Sequence, residues 1–217
     1  MTTTIAIALF EGVTALDALG PYQVLVEVAG TEIVFVAEGA GPVSDSQGRL
    51  TIQAHAAFAE VPEPDVILVP GGLVTVAMAR ARNHPIIDWI AAAHPTTTWT
   101  TSVCTGSHLL GAAGVLEGRE ATGHWYLRQD LGQFGATPVD RRVVFDGKVV
   151  TAAGVSAGID MALALAARLS SDDTARSIQL GMEYDPAPPF RCGHPAVAPP
   201  EIVAGLSAGF AAAIERG

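Results

Sequence analysis

The stretch "TTTWTTSVCTGSHLLGAAGVL" spans residues 96–116 and carries one of the chain's two cysteines. A β-branched run meets a small-residue run at Cys104. The first half predicts a strand over 96–103 and the second a helix over about 105–115. Ser102-Val103-Cys104-Thr105-Gly106 therefore has the form small-x-nucleophile-x-small, the logic of a nucleophile elbow with cysteine in place of serine. A sharp strand-to-helix turn crowds the backbone, so the residues two before and two after the nucleophile must be small. Such a turn projects the sulfur above the sheet. It also sets a helix N-terminus beneath it, which favours thiolate, and offers the Thr105 N–H to a developing negative charge. The competing reading is that Cys104 is a small buried hydrophobe, as most free cysteines are.

Outward from this stretch, short apolar strands alternate with helical patterns. Residues 4–10 and 32–37 read as buried strands, and "PDVILVPGG" (64–72) as a third that ends in a diglycine. Between the first two, Leu16, Leu19, Tyr22 and Val26 recur at helical spacing, with Gly30 as the stop and Pro21 tolerated if it lies near the first turn. Helices are expected over about 74–81, 85–93, 156–169, 172–182 and 200–216, and a helix or turn over "HWYLRQDLGQFG". Two hairpins are expected, around Ser46-Gln47-Gly48 and Asp146-Gly147. "DPAPPFRCGHPAVAPP" reads as an extended, proline-rich loop. Strands that are continuously apolar and followed by helices predict an α/β fold, a mostly parallel central sheet with helices on both faces.

The end of an interior strand is where open α/β sheets place their sites, which favours chemistry at Cys104. Pro70-Gly71-Gly72 ends another such strand, and the Gly72 N–H is a candidate second oxyanion donor. An ordinary tight turn explains the same residues. Asp17 follows the first strand. Beside the sulfur and out of water, its carboxyl would gain proton affinity and suit general acid/base work; a helix-start charge is the plainer account. His124 follows Cys104 by 20 residues and is a second-rank candidate for a Cys–His pair. His108 lies one helical turn after Cys104, but two ligands make no metal site, and a packed helix residue is the better reading. Cys192 and His194 read as structural.

Composition limits the partners. The 217 residues carry a net charge of −10, with 49% hydrophobic and 16% charged residues. The negative charge argues against nucleic acid or an anionic membrane as partner. The low charged fraction points to an oligomer. No signal peptide or membrane span is expected, and two distant cysteines make a disulfide framework unexpected, so a cytoplasmic protein is expected. The dinucleotide and P-loop glycine fingerprints are absent.

The chain resembles the ThiJ/PfpI superfamily, whose fold is like that of class I glutamine amidotransferases. The resemblance rests on "LFEGVTALDALGPYQVL", "DVILVPGG", "SVCTGSHLLGAAGVLEGREATGHW", "RVVFDGKVVTAAGVSAGIDMALAL" and "GMEYDPAPPF", in that order along nearly the whole chain. Within the superfamily it is similar to the isonitrile hydratases. Asp17 stands where most relatives carry Glu, and Thr105 stands where peptidase-like members carry His. The resemblance implies one domain over 1–217. It implies hydration of a small-molecule isonitrile to an N-substituted formamide, without cofactor or metal. It implies Cys104, Asp17 and Thr105 as catalytic, Gly72 and Thr105 as positioning groups, and a homodimer. The superfamily also contains redox-sensing or repair proteins and glyoxalase- or deglycase-like members, which are the alternatives. A regulator's sensing domain and a non-catalytic interaction module fit less well.

Overall fold

The computed structural model describes residues 2–216. Strand β1 (Thr3–Ala8) leads into α1 (Ala15–Leu25) and β2 (Thr31–Ala37). A hairpin, β3 (Gly41–Ser44) and β4 (Thr51–Ala54), is followed by the short β5 (Ala56–Ala57) and by β6 (Val66–Val69). Helices α2 (Val74–Ala81) and α3 (Pro85–Ala93) precede β7 (Trp99–Val103) and α4 (Gly106–Ala112). Two short strands, β8 (Glu120–Ala121) and β9 (Thr137–Pro138), flank a 3₁₀ segment at Arg128–Phe134. The chain ends with β10 (Val143–Asp146), β11 (Val149–Ala152), α5 (Ala157–Leu169), α6 (Asp172–Gly181) and α7 (Pro200–Arg216).

Seven strands form one sheet in the order β10-β11-β7-β6-β1-β2-β5, parallel throughout except for the β10–β11 hairpin. This is the expected mostly parallel α/β architecture. The strands read as unbroken apolar runs because both faces are covered. Ile5, Ile7, Val66, Leu68 and Val103 join Met161 and Leu165 of α5 in one core. Ala6, Ala8, Ile67 and Val69 join Ile90 of α3 and Leu109 of α4 in the other. Alternate residues of β1 and β6 thus feed opposite cores, as the two-residue repeat of a strand requires.

The chain leaves β1 toward β2 on one side and reaches β6 on the other, so the connections diverge at β1. Such a switch point opens a crevice at the carboxyl ends of the strands. Asp17, Gly71 and Cys104 follow β1, β6 and β7, three neighbouring strands.

Several boundaries differ from the sequence reading. The face of α1 that is buried carries Asp17, Ala18, Pro21, Val24 and Leu25, while Leu16 is 45% exposed and Val26 is also exposed. The apolar spacing misled because a carboxylate and a proline occupy the inner face. Pro21 is central in α1, not at its start, and lies against Gly158 of α5, where an added Cβ would be 3.1 Å from its ring. The helix ends at Leu25, and Gly30 (φ +82°) serves the turn into β2. Strand β7 starts at Trp99 because Thr96 and Thr97 turn their hydroxyls onto the Ala93 and His94 carbonyls, at 2.9 Å each, closing the end of α3. Local hydroxyl-to-carbonyl bonds there override β-propensity. The two expected hairpins form, with Gly48 at φ +64° and Gly147 at φ +59°.

Candidate active site

Cys104 takes φ +58°, a left-handed conformation rare for a residue with a side chain. Its N–H is shared between the Ala152 and Ala153 carbonyls, both at 3.1 Å. The strand cannot continue, and α4 begins two residues on. Gly106 makes the turn possible: a Cβ there would run into the Val69 carbonyl oxygen. Ser102 is fully buried within β7, between β6 and β11. The small-x-Cys-x-small pattern thus has the predicted steric cause. The residue itself is only 6% exposed.

Asp17 is fully buried on α1. Its Oδ2 accepts the Gly71 N–H at 2.9 Å. Gly71 must be glycine, because a Cβ would sit 2.7 Å from the Thr105 nitrogen and 2.8 Å from that same Oδ2. Burial raises the Asp17 carboxyl to about 7, offset in part by the Gly71 N–H and by interaction with the Cys104 thiol. Asp17 Oδ1 has no well-formed hydrogen-bond partner. Carboxyl and thiol are buried side by side, and each alters the other's proton affinity.

The sequence reading expected the helix start to favour thiolate. In the folded chain other influences oppose it. Burial pushes the Cys104 thiol well above its ordinary value, and the neighbouring Asp17 charge pushes it further. The N–H groups of Val155 and Thr105 pull the other way without prevailing. Burial and the neighbouring carboxylate disfavour a charged sulfur, and the two donors favour it.

A second correction concerns Gly72. Its N–H donates to Thr105 Oγ1 at 2.9 Å, and its carbonyl accepts from the same hydroxyl at 2.9 Å. Thr105 occupies the Gly72 N–H, which is therefore no free oxyanion donor, and shares the Gly72 carbonyl with the Thr75 hydroxyl at 2.8 Å. The threonine hydroxyl ties the β6 turn to the elbow. The donors that face the sulfur are the N–H groups of Thr105 and Val155.

Val155 was not singled out in the sequence. It follows β11, which pairs with β7, and has φ +33°, a strained value for a β-branched residue. The signal was present as "AAGVSAG" (152–158), a second small-residue run after a strand. His124 sits half-buried against this turn, where a Cβ on Gly154 would be 2.8 Å from its ring. Burial lowers its proton affinity. His108 is buried edge-on to Phe134, its proton affinity lowered to about 4 chiefly by burial. Among the described residues no three His, Cys, Asp or Glu side chains converge as a metal site.

A cleft of about 480 Å³ opens beside the elbow, walled by Gly154, Val155, Ser156, His124 and Trp125. The loop at 193–195 forms its outer rim. Cys192 lies in that same loop, partly exposed and away from any strand end.

The model of the DJ-1/PfpI family matches residues 3–168. The chain belongs to the DJ-1/PfpI family. It is 42% identical over 203 residues to the isonitrile hydratase of Pseudomonas putida, covering 94% of this chain and 88% of that protein. A ThiJ/PfpI family protein from Pseudomonas syringae has a crystal structure that superposes with a TM-score of 0.94 at 35% identity, covering 99% of this chain and 88% of that one. A deglycase of Pyrococcus abyssi is 30% identical over 138 residues, 62% of this chain and 80% of that protein. No helix among the described residues is long and apolar enough to cross a membrane.

Proposed function

We propose that the protein is a hydro-lyase that adds water to an isonitrile to give an N-substituted formamide. The observation that carries this reading is the buried Asp17 carboxyl, fixed by the Gly71 N–H and set against the Cys104 thiol. The near-full-length similarity to an isonitrile hydratase supports the choice of substrate class.

The chemistry follows from where the proton starts. An isonitrile carbon accepts a proton and a nucleophile at the same atom. Asp17, as carboxylate, takes the Cys104 proton while sulfur bonds to the terminal carbon, and delivers that proton to the same carbon. The product is a thioimidate, R–N=CH–S–Cys104. Water then adds across C=N, Asp17 receiving the water proton and passing it to nitrogen. The C–S bond breaks, sulfur regains a proton, and the formamide R–NH–CHO leaves. Atoms balance with no redox partner. The Thr105 and Val155 N–H groups stabilise charge on sulfur as it leaves. Thr105 holds Gly72, and with it the Asp17–Gly71 contact, in register.

An isonitrile as small-molecule partner and a homodimer as the working assembly belong to the same proposal. Leu180 at 81% and Phe190 at 77% exposure support a surface that a second copy covers.

The test is an assay of purified protein with cyclohexyl isonitrile, with methylglyoxal in parallel. Formamide production that disappears in Cys104→Ala supports the reading. Turnover of methylglyoxal alone would move the protein to the deglycase class.

A further inference from the structure

Cys104 does not itself line the cleft; it adjoins it through Val155, whose N–H faces the sulfur and which forms part of the wall. The wall beyond it has an unusual charge. The chain has 12 Lys and Arg in 217 residues and a net charge of −10. Yet Arg128, Arg141 and Arg142 all line this one cleft, with Asp140 as the single acid among the described lining residues. Glu120 and Asp160, which pair with Arg141 and Arg142, are not part of that wall.

Arg128 is the decisive residue. It is buried, with 10% of its side chain exposed, and Asp140 engages its Nη1 at 2.6 Å. Its Nε is buried without a hydrogen-bond partner. A buried guanidinium group with an unused donor is costly, and the cost falls when an acceptor arrives. Asp140 cannot supply all of it, because the same Oδ1 also meets His194 Nε2 at 3.1 Å. Arg142 reaches Ser156 Oγ at 3.3 Å on the Val155 side of the cleft. His124 and Trp125 form an aromatic flank of the cleft, which Phe210 of α7 backs at 5.2 Å and 6.1 Å.

We infer that the cleft selects isonitriles whose nitrogen substituent carries an anionic group, a carboxylate above all, received by Arg128 with Arg142. The inference rests on the hydratase reading for the reaction but not for the anion contact. A planar guanidinium group matches a carboxylate in shape as well as charge. The aromatic flank suits an aryl or short alkyl spacer. Plain hydrocarbon isonitriles fill the inner cleft and leave the Arg128 donor unused.

The test uses two substrate pairs, isocyanoacetate and 4-isocyanobenzoate, each against its methyl ester. The expected kcat/KM favours the carboxylate by at least about tenfold in one pair or both. Arg128→Gln collapses that ratio toward one, and Arg128→Lys restores part of it; a role confined to folding would lower both members of a pair together. Arg142→Gln, with the wild-type ratio, serves if the Arg128 variants do not fold. Esters used as well as carboxylates in both pairs would overturn the inference.

A binding arm separates this from the hydratase reading. Cys104→Ala is titrated calorimetrically with 4-formamidobenzoate and its methyl ester. Tighter binding of the carboxylate, lost on adding Arg128→Gln, supports the anion site even if no isonitrile is turned over. Hydration without a carboxylate preference leaves the reaction standing and removes the anion site.

Discussion

The two cysteines occupy opposite kinds of surroundings. Cys104 is compressed between three strand ends at φ +58°, with a buried carboxyl and two N–H donors around its sulfur. Cys192 lies in a proline-rich loop beside Phe190, partly open to solvent. The side chains are identical, so any difference in chemistry comes from the backbone around them. Gly71 and Gly106 do as much for reactivity as the sulfur, because they let Asp17 and the elbow approach.

Removing the sulfur at each site gives the widest contrast. Cys104→Ala is predicted to lower formamide formation by at least about 10³-fold while the thermal melt is retained. Cys192→Ser should stay within about twofold. Equal losses from both variants, measured by turnover, would erase the contrast.

Asp17→Asn comes next, with a loss of about 10²- to 10⁴-fold. It carries a second, independent signature. The folded-state value of Asp17 is raised from 3.8 to about 7. The native state therefore binds the extra proton between those limits, and stability falls as pH rises from about 4 to about 7. At ~1.4 kcal/mol per pH unit the fall is at most about 4 kcal/mol. Asp17→Asn should remove it, so the variant melts higher than the parent above pH 7 and not at pH 4. Parallel pH–Tm curves would contradict the buried carboxyl. In the parent, kcat/KM should fall about tenfold per unit below pH 7, as the carboxylate that takes the thiol proton is lost. That limb belongs to the coupled Asp17–Cys104 pair.

Thr105→Val is expected to be milder. It leaves the Gly72 N–H unpaired, while the Gly72 carbonyl keeps Thr75, at a cost of about 1–3 kcal/mol in chemical denaturation, with turnover reduced about tenfold. An unchanged denaturation midpoint would mean the β6 turn does not depend on this hydroxyl.

Much of this was legible in the sequence, for reasons that differ by residue. The parallel sheet showed in the apolar runs of β1 and β6 because burial on both faces leaves no polar alternation. Cys104 showed because the steric demands of the elbow act on neighbours in sequence, Ser102 and Gly106. Asp17 was harder: its partner Gly71 is far along the chain, and its place after the first strand left a helix-start charge as the plainer account until the family resemblance favoured catalysis. What stayed hidden depends on tertiary register. Nothing local to Gly72 says that the Thr105 hydroxyl reaches across from β7 to occupy it. Val155 contributes a backbone N–H, which its side chain does not advertise. The opposing influences on the Cys104 thiol come from its burial and from Asp17, properties of the packed molecule.

The most direct test is acid quenching of the protein during turnover of an isonitrile, followed by peptide mass spectrometry. The account predicts a mass increase of one intact isonitrile on the peptide holding Cys104, chased away as formamide accumulates. An adduct on Cys192 instead, or steady formamide production by Cys104→Ala, would contradict it.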